Sequence, residues 1–335
     1  MSQYRVAVVG VGMVGTELVR VLRQRNFPCS KLQILARRAR TETIDGNSYE
    51  VLPTTAEAFS DIDIALFAGT EGEKGASQLY GWEAVRRGAI VVDNGADFRL
   101  EPNVPLVVPE VNADALKSHQ GFIANPNCST IQMVIALAPI HKVNRIKRVV
   151  VTTFQSVSGT GLEAIEILEK QAAARLAGKP LPKGVYEHPI GFNLFPHIDK
   201  YQPDGLYLEE TKMVLETQKI MGAKIPVCPT TVRVPVFYCH SEAVNLALSK
   251  PMTADRVRKL LAKAPGVVVC DEPARAKYPT PLLAQDTDDV YVGRIRNDPS
   301  QKNGINLFVV ADNLRVGAAT NAVRIYQEMC RQGLL

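Results

Sequence analysis

Six residues, Gly10-Val11-Gly12-Met13-Val14-Gly15, limit the possible folds of this chain more than any other stretch. They follow the apolar run of residues 4–9 and open an amphipathic pattern with Leu18, Val19 and Leu22 on one face. The reading is strand, glycine turn, helix. In such a unit the first glycine permits the tight turn and the second lets backbone approach a pyrophosphate. The third allows close packing of helix on strand. A G-x-G-x-x-G alone is weak, and a purely structural turn is the competing reading. Its place inside a strand-turn-helix unit favours dinucleotide binding.

Strand and helix patterns then alternate. Residues 32–35 and 62–67 read as strands, 82–88 as a helix, 89–92 as a strand, and Asp93-Asn94-Gly95 as a turn. This predicts a parallel sheet with helices on both faces. Near residue 145 the pattern changes. Residues 148–154, 227–238, 243–248, 267–269, 290–295 and 305–311 read as strands, and 161–177 as a helix. The prediction is a second domain with a mixed or antiparallel sheet packed on helices. Residues 317–332 read as a terminal helix with a packed apolar side. The fold class is therefore α/β. An N-terminal Rossmann-type, doubly wound parallel sheet is joined to an α+β domain with a mixed sheet.

Composition narrows the function. The chain has 335 residues, 46% hydrophobic and 22% charged, which suits two globular domains. A net charge of +5 spread along the sequence does not point to nucleic acid. No apolar run reaches the roughly 18 residues a membrane span needs, and the strand pattern starting at Tyr4 leaves no room for a signal peptide. The six cysteines are scattered without a CxxC pair, and the five histidines are isolated. Free thiols in a reducing compartment, the cytoplasm, and no metal site are expected.

Several residues carry chemistry. The second strand is followed by Arg37, Arg38 and Arg40, with no acid before Glu42. An acid there would select NAD through the ribose 2′-OH, whereas arginines suit a 2′-phosphate. The alternative is a solvated basic loop. Cys128 lies in Asn125-Pro126-Asn127-Cys128-Ser129-Thr130, a turn before a buried helix expected to open at Ser129 or Thr130. A thiol at a helix N-terminus is favoured as thiolate, next to N–H groups that can hold an oxyanion. Gln155-Ser156-Val157-Ser158-Gly159 closes a strand with small residues that can bring amides close to a ligand. Glu209 and Lys212, three apart on a helix, read first as an exposed ion pair. Arg233 and His240 are seven apart, so one straight strand would point them to opposite faces unless Pro235 marks a bulge.

These residues together resemble the bacterial branch of the aspartate-β-semialdehyde dehydrogenases over nearly the whole chain. The most specific stretches are residues 125–132, Pro189-Ile190-Gly191-Phe192-Asn193 with Pro196-His197-Ile198-Asp199, and 233–242. Two more are Val290-Tyr291-Val292-Gly293-Arg294-Ile295-Arg296 and Asp312-Asn313-Leu314-Arg315. The resemblance implies an NADP-binding domain (1–128, completed by a C-terminal helix at 313–335) and a catalytic and dimerisation domain (129–312). It implies interconversion of L-aspartate 4-semialdehyde and L-4-aspartyl phosphate, with inorganic phosphate, on the route to lysine, threonine, methionine and isoleucine. It implies Cys128 as nucleophile, His240 as general acid/base near its ordinary pKa, and Gln155 as positioning group. Arg233 would hold the substrate carboxylate and Glu209 its amino group; Arg99, Lys212 and Asn127 would hold phosphate. Cofactor contacts are implied at Gly10, Gly12, Met13, Val14, Gly15, Arg37, Arg38, Ser158, Gly159 and Asn313. A homodimer is implied, with a tetramer as the larger alternative.

The chain departs from that pattern in three places. Met13-Val14 stands where Ala-Thr is usual, Ala68-Gly69-Thr70-Glu71-Gly72-Glu73 replaces a Ser/Gly-rich loop, and Gly95-Ala96-Asp97 replaces Ser-Ser-Ala. The competing enzyme is N-acetyl-γ-glutamyl-phosphate reductase, whose N-acylated substrate has no use for the Glu209 carboxylate. A glyceraldehyde-3-phosphate dehydrogenase would want an acid after the second strand. A non-catalytic nucleotide-binding paralogue would be marked by loss of Cys128 or His240, and both are present. Arg37→Asp is expected to weaken NADP binding much more than NAD binding in parallel titrations. Equal losses would remove Arg37 as a determinant.

Overall fold

The computed structural model describes residues 3–69 and 72–335. The chain divides into two compact units, Met1–Asn127 with Ala318–Leu335, and Cys128–Gly317.

The first unit runs β1 (Tyr4–Val9), α1 (Met13–Gln24), β2 (Cys29–Ala36), β3 (Arg40–Ile44), β4 (Asn47–Pro53), β5 (Ile64–Phe67), α2 (Trp82–Arg86), β6 (Ile90–Asp93), α3 (Pro109–Asn112) and β7 (Phe122–Ala124). Among the described residues its sheet has seven strands in the order β3-β4-β2-β1-β5-β6-β7. Every neighbouring pair is parallel except β3–β4. Val6 to Val9 and Ile64 to Phe67 are buried without alternation, as strands covered on both faces must be. Strand order reverses at β1, so the loop after β1, which begins with Gly10, lies where open α/β sheets bind ligands.

The hairpin β3–β4 is absent from the sequence reading, which makes the sheet mostly rather than wholly parallel. A signal was present: Asp45-Gly46, with φ of +49° and +76°, is the pair a two-residue hairpin turn requires. The sheet also receives a helix from the end of the chain, Thr320–Gln332. There the Tyr326 hydroxyl donates to the carbonyls of Ile90 at 2.7 Å and Ala65 at 3.2 Å.

The second unit runs α4 (Cys128–Val143), β8 (Ile146–Gln155), α5 (Leu162–Leu176), α6 (Leu208–Met221), β9 (Val227–Arg233), β10 (His240–Leu248), α7 (Ala254–Leu261), β11 (Val267–Val269), α8 (Pro281–Ala284), β12 (Val290–Asp298) and β13 (Gly304–Ala311); the terminal helix Thr320–Gln332 is α9. Its sheet is mixed, in the order β11-β12-β13-β10-β8-β9, with β8–β9 and β11–β12 parallel and the rest antiparallel.

Two of the boundaries that differ from expectation bear on the site. Helix α4 opens at Cys128 itself, not at Ser129 or Thr130. The expected strand over 227–238 stops at Arg233, where Val234-Pro235 breaks the ladder, and His240 begins the next strand. Replacing Tyr326 by Phe removes a buried hydroxyl from two carbonyls and should cost about 1 kcal/mol in denaturant unfolding.

Candidate active site

In the second unit one sheet face gathers the predicted residues. Side chains alternate along a strand, so register decides which of them meet. Gln155, the last residue of β8, pairs with Arg233, the last residue of β9. His240, the first residue of β10, pairs with Ala311 of β13. Strands β8 and β10 are themselves neighbours, with Glu242 opposite Thr153. Gln155 and His240 each lie two residues from that pair and so face the same side. The parity difficulty with Arg233 and His240 disappears because they sit on different strands.

Buried contacts fix each group. Arg233 is 6% exposed; its Nη1 donates to the Ser156 carbonyl at 2.6 Å, and its Nε has no protein partner. Gln155 Nε2 donates to Glu209 Oε1 at 3.1 Å. Glu209 Oε2 lies 3.8 Å from Lys212 Nζ, which donates to Asp199 Oδ2 at 2.7 Å. Glu209 is buried and the Lys212 side chain is 13% exposed, so the reading as a solvated helix pair is wrong. Asp199 was not singled out for this role. It lies inside a motif stretch, and its φ of +68° marks an unusual turn.

His240 is fully buried. Its Nδ1 lies 3.2 Å from the Ser156 N–H, which donates to it, and 3.2 Å from Ser156 Oγ. A backbone N–H cannot accept a proton, so the neutral ring carries its hydrogen on Nε2. That atom has no protein partner. Desolvation, with the Arg233 guanidinium adding repulsion, pushes the ring down from its ordinary 6.5 to about 3. The expectation of a histidine near its ordinary pKa is therefore corrected.

Behind the ring lies a polar network. Ser156 Oγ contacts Ser158 Oγ at 3.0 Å, and Asn313 Oδ1 accepts from Ser156 Oγ at 3.2 Å, Ser158 Oγ at 3.1 Å and the Cys239 N–H at 3.0 Å. The side chains of Ser158 and Asn313 are thus buried against one another. A β-carbon on Gly159 would stand 3.4 Å from both His240 Nε2 and Arg233 Nη1, so a glycine keeps this corner open. Cys128 is half-buried at the start of a helix buried along most of its length. Gly317, missed in the sequence, would drive a β-carbon to 2.9 Å from the Cys128 Cβ.

The first unit holds the other predicted residues. Gly10 has φ of +102°, and a β-carbon on Gly15 would overlap the Gly10 carbonyl oxygen, so both glycines are obligatory. Gly12 is exposed with open space around its missing β-carbon. It caps α1, a helix with no acid in its first turn and no side-chain cap. Open space, free N–H groups and the positive helix end fit a pyrophosphate. Met13 and Val14 form the first turn of this helix. Arg37 and Arg38 are exposed just past β2. Arg40 Nε contacts Glu42 at 2.6 Å, which offsets the acid nearest to them. Arg99 is buried, donating to the carbonyls of Asn125 at 2.9 Å and Asn94 at 2.7 Å. Asn127 is 7% exposed. Two of the departures meet: the Gly72 N–H lies 3.1 Å from both carboxylate oxygens of Asp97. Thr70 and Glu71 lie outside the described residues.

Residues 5–119 match the family model for the semialdehyde dehydrogenase NAD binding domain, and 137–316 that for the semialdehyde dehydrogenase dimerisation domain. The aspartate-semialdehyde dehydrogenase of Legionella pneumophila is 49% identical, covering 100% of this chain and 98% of its own length. That of Aquifex aeolicus is 46% identical, covering 99% of each. The crystal structure of aspartate semialdehyde dehydrogenase II from Vibrio cholerae complexed with ASA superposes with a TM-score of 0.92, at 42% identity and 99% coverage of both chains.

The lowered basicity of His240 has a stability consequence. The unfolded chain protonates this ring as pH falls through 6.5, while the folded chain resists until about 3. Its contribution to stability is therefore lost progressively across that window. His240→Asn should show a shallower loss between pH 6.5 and 4 in urea unfolding; parallel losses in the two proteins would exclude His240 as the titrating group.

Proposed function

The chain belongs to the aspartate-semialdehyde dehydrogenase family, and from that membership we propose how its own residues divide the work. The reaction is the reversible, NADP- and phosphate-dependent interconversion of L-aspartate 4-semialdehyde and L-4-aspartyl phosphate through a cysteine thioester. It supplies lysine through diaminopimelate, and threonine, methionine and isoleucine. What supports the division most is the gathering of Gln155, Arg233 and His240 on one sheet face of the unit that Cys128 opens.

Cys128 is the nucleophile. In the oxidative direction its thiolate adds to the aldehyde carbon, and the carbonyl electron pair moves onto oxygen. His240 presents an Nε2–H with no protein partner, a donor for that oxyanion. This favours oxyanion stabilisation over thiol activation, because a ring this hard to protonate is a poor base. When bound, NADP would supply the hydride acceptor for the thiohemiacetal carbon, and its reduced form the donor in the reverse direction. Phosphate then attacks the thioester carbonyl and Cys128 leaves as thiolate, so one hard acyl transfer becomes two easier steps.

Arg233 pairs with the substrate α-carboxylate, for which a guanidinium fork is suited. That pairing would neutralise the charge that adds to burial in depressing His240, coupling substrate binding to the proton affinity of the ring. Glu209 takes the substrate ammonium, and Gln155, already bonded to Glu209, orients the acyl group. Arg99, Lys212 and Asn127 take phosphate. Gly10, Gly12, Met13, Val14, Gly15, Arg37 and Arg38 hold the pyrophosphate and 2′-phosphate of NADP; Ser158, Gly159 and Asn313 are assigned to the same cofactor. The dimerisation-domain match supports a homodimer. Among the described residues no helix is long and apolar enough to cross a membrane, which accords with a cytoplasmic enzyme.

The test is NADP reduction with L-aspartate 4-semialdehyde, with and without inorganic phosphate, beside N-acetylglutamate semialdehyde. Phosphate-dependent turnover on the aspartyl substrate alone is expected. Cys128→Ser should lower turnover by about a thousandfold or more and leave NADP binding intact. Turnover near the parent value would remove Cys128 as nucleophile.

A further inference from the structure

Directly beneath the reacting groups lies a second layer that the proposed mechanism does not use. Glu242 is two residues beyond His240 on β10 and shares its face. Gln132 is four residues beyond Cys128 on α4, one helical turn down on the same side. Glu242 is 0% exposed and Gln132 1%. Gln132 faces Glu242, yet the two side chains close no hydrogen bond of normal geometry. Both carboxyl oxygens, the amide oxygen and the amide nitrogen are buried and unpartnered.

Four such atoms facing one another are a costly arrangement for structure alone, since native interiors satisfy nearly all their polar groups. An apolar pair would fill the same space without that cost. In the sheet Glu242 stands opposite Thr153 on one side and Val309 on the other. Thr153 Oγ1 in turn lies 3.4 Å from Gln155 Nε2 in the layer above.

We propose that the Glu242–Gln132 contact is a positioning element for the reaction, holding the strand that begins with His240 in register with the helix that begins with Cys128. It lies one layer down from both groups, two residues along the strand from His240 and four residues along the helix from Cys128. Desolvation pushes the Glu242 carboxyl well above the usual carboxylate range, and the facing Gln132 amide opposes this only in part. Burial thus favours the carboxylic acid form, whose one O–H the amide carbonyl of Gln132 can receive, directly or through one water.

The inference rests on the roles given to Cys128 and His240, so the experiment separates the two. Glu242→Gln keeps shape and neutrality; its kcat should stay within about threefold of the parent. Gln132→Leu with Glu242→Leu removes the polar contact while filling the space. It should keep or raise the melting temperature and leave the KM for L-aspartate 4-semialdehyde within about twofold. Its kcat, and the rate at which iodoacetamide alkylates Cys128, should fall tenfold or more. A folded double variant with parental kcat overturns the proposal, as does a Glu242→Gln enzyme with kcat lowered tenfold. Cys128→Ser runs beside them. If that variant is inactive while the double variant is normal, only the positioning role fails; if Cys128→Ser turns over normally, the reading of the site fails first.

Discussion

A single backbone N–H, that of Ser156, decides which nitrogen of His240 can carry a proton. Because it donates to Nδ1, the neutral ring must present Nε2–H on its other edge. Burial, with Arg233 adding repulsion, then keeps the ring neutral, and the same guanidinium is steadied by the Ser156 carbonyl. One residue therefore holds the imidazole with its N–H and the guanidinium with its C=O. Ser156 can do this because it follows the last residue of β8, between two strand ends that supply Arg233 and His240.

The sequence made the first unit legible where local chemistry is strongly constrained. Gly10 and Gly15 tolerate no side chain, and uninterrupted apolar runs such as residues 6–9 have few other uses. Cys128 was legible for a related reason, since a Pro-containing turn and a buried helix on either side leave few places for it. The helix start was misplaced by one residue because Ser129 and Thr130 are better caps than cysteine, yet both hydroxyl side chains are buried within the first turn.

What the sequence hid was geometry that depends on partners far along the chain. The seven-residue spacing of Arg233 and His240 suggested one strand, and only the break at Val234-Pro235 puts them on two strands that flank β8. Glu209 and Lys212 looked like an exposed pair because spacing carries no burial information; Gln155 and Asp199 supply it from elsewhere. Gly317 looked like the start of a helix, whereas its need is set by the Cα and Cβ of Cys128. Asp97 and Gly72 each looked like an isolated oddity, and the contact between them shows a compensated pair.

The sheet of the first unit is covered by a helix made of residues 320–332, whose Tyr326 reaches the carbonyls of two of its strands. The order of assembly therefore cannot follow the order of synthesis. A nascent chain displays every strand of that sheet long before its covering helix emerges from the ribosome, and meanwhile it makes the whole of the second unit. Residues 128–317 have all their internal partners available first, so the unit encoded in the middle is the one free to finish folding before the unit encoded at the start.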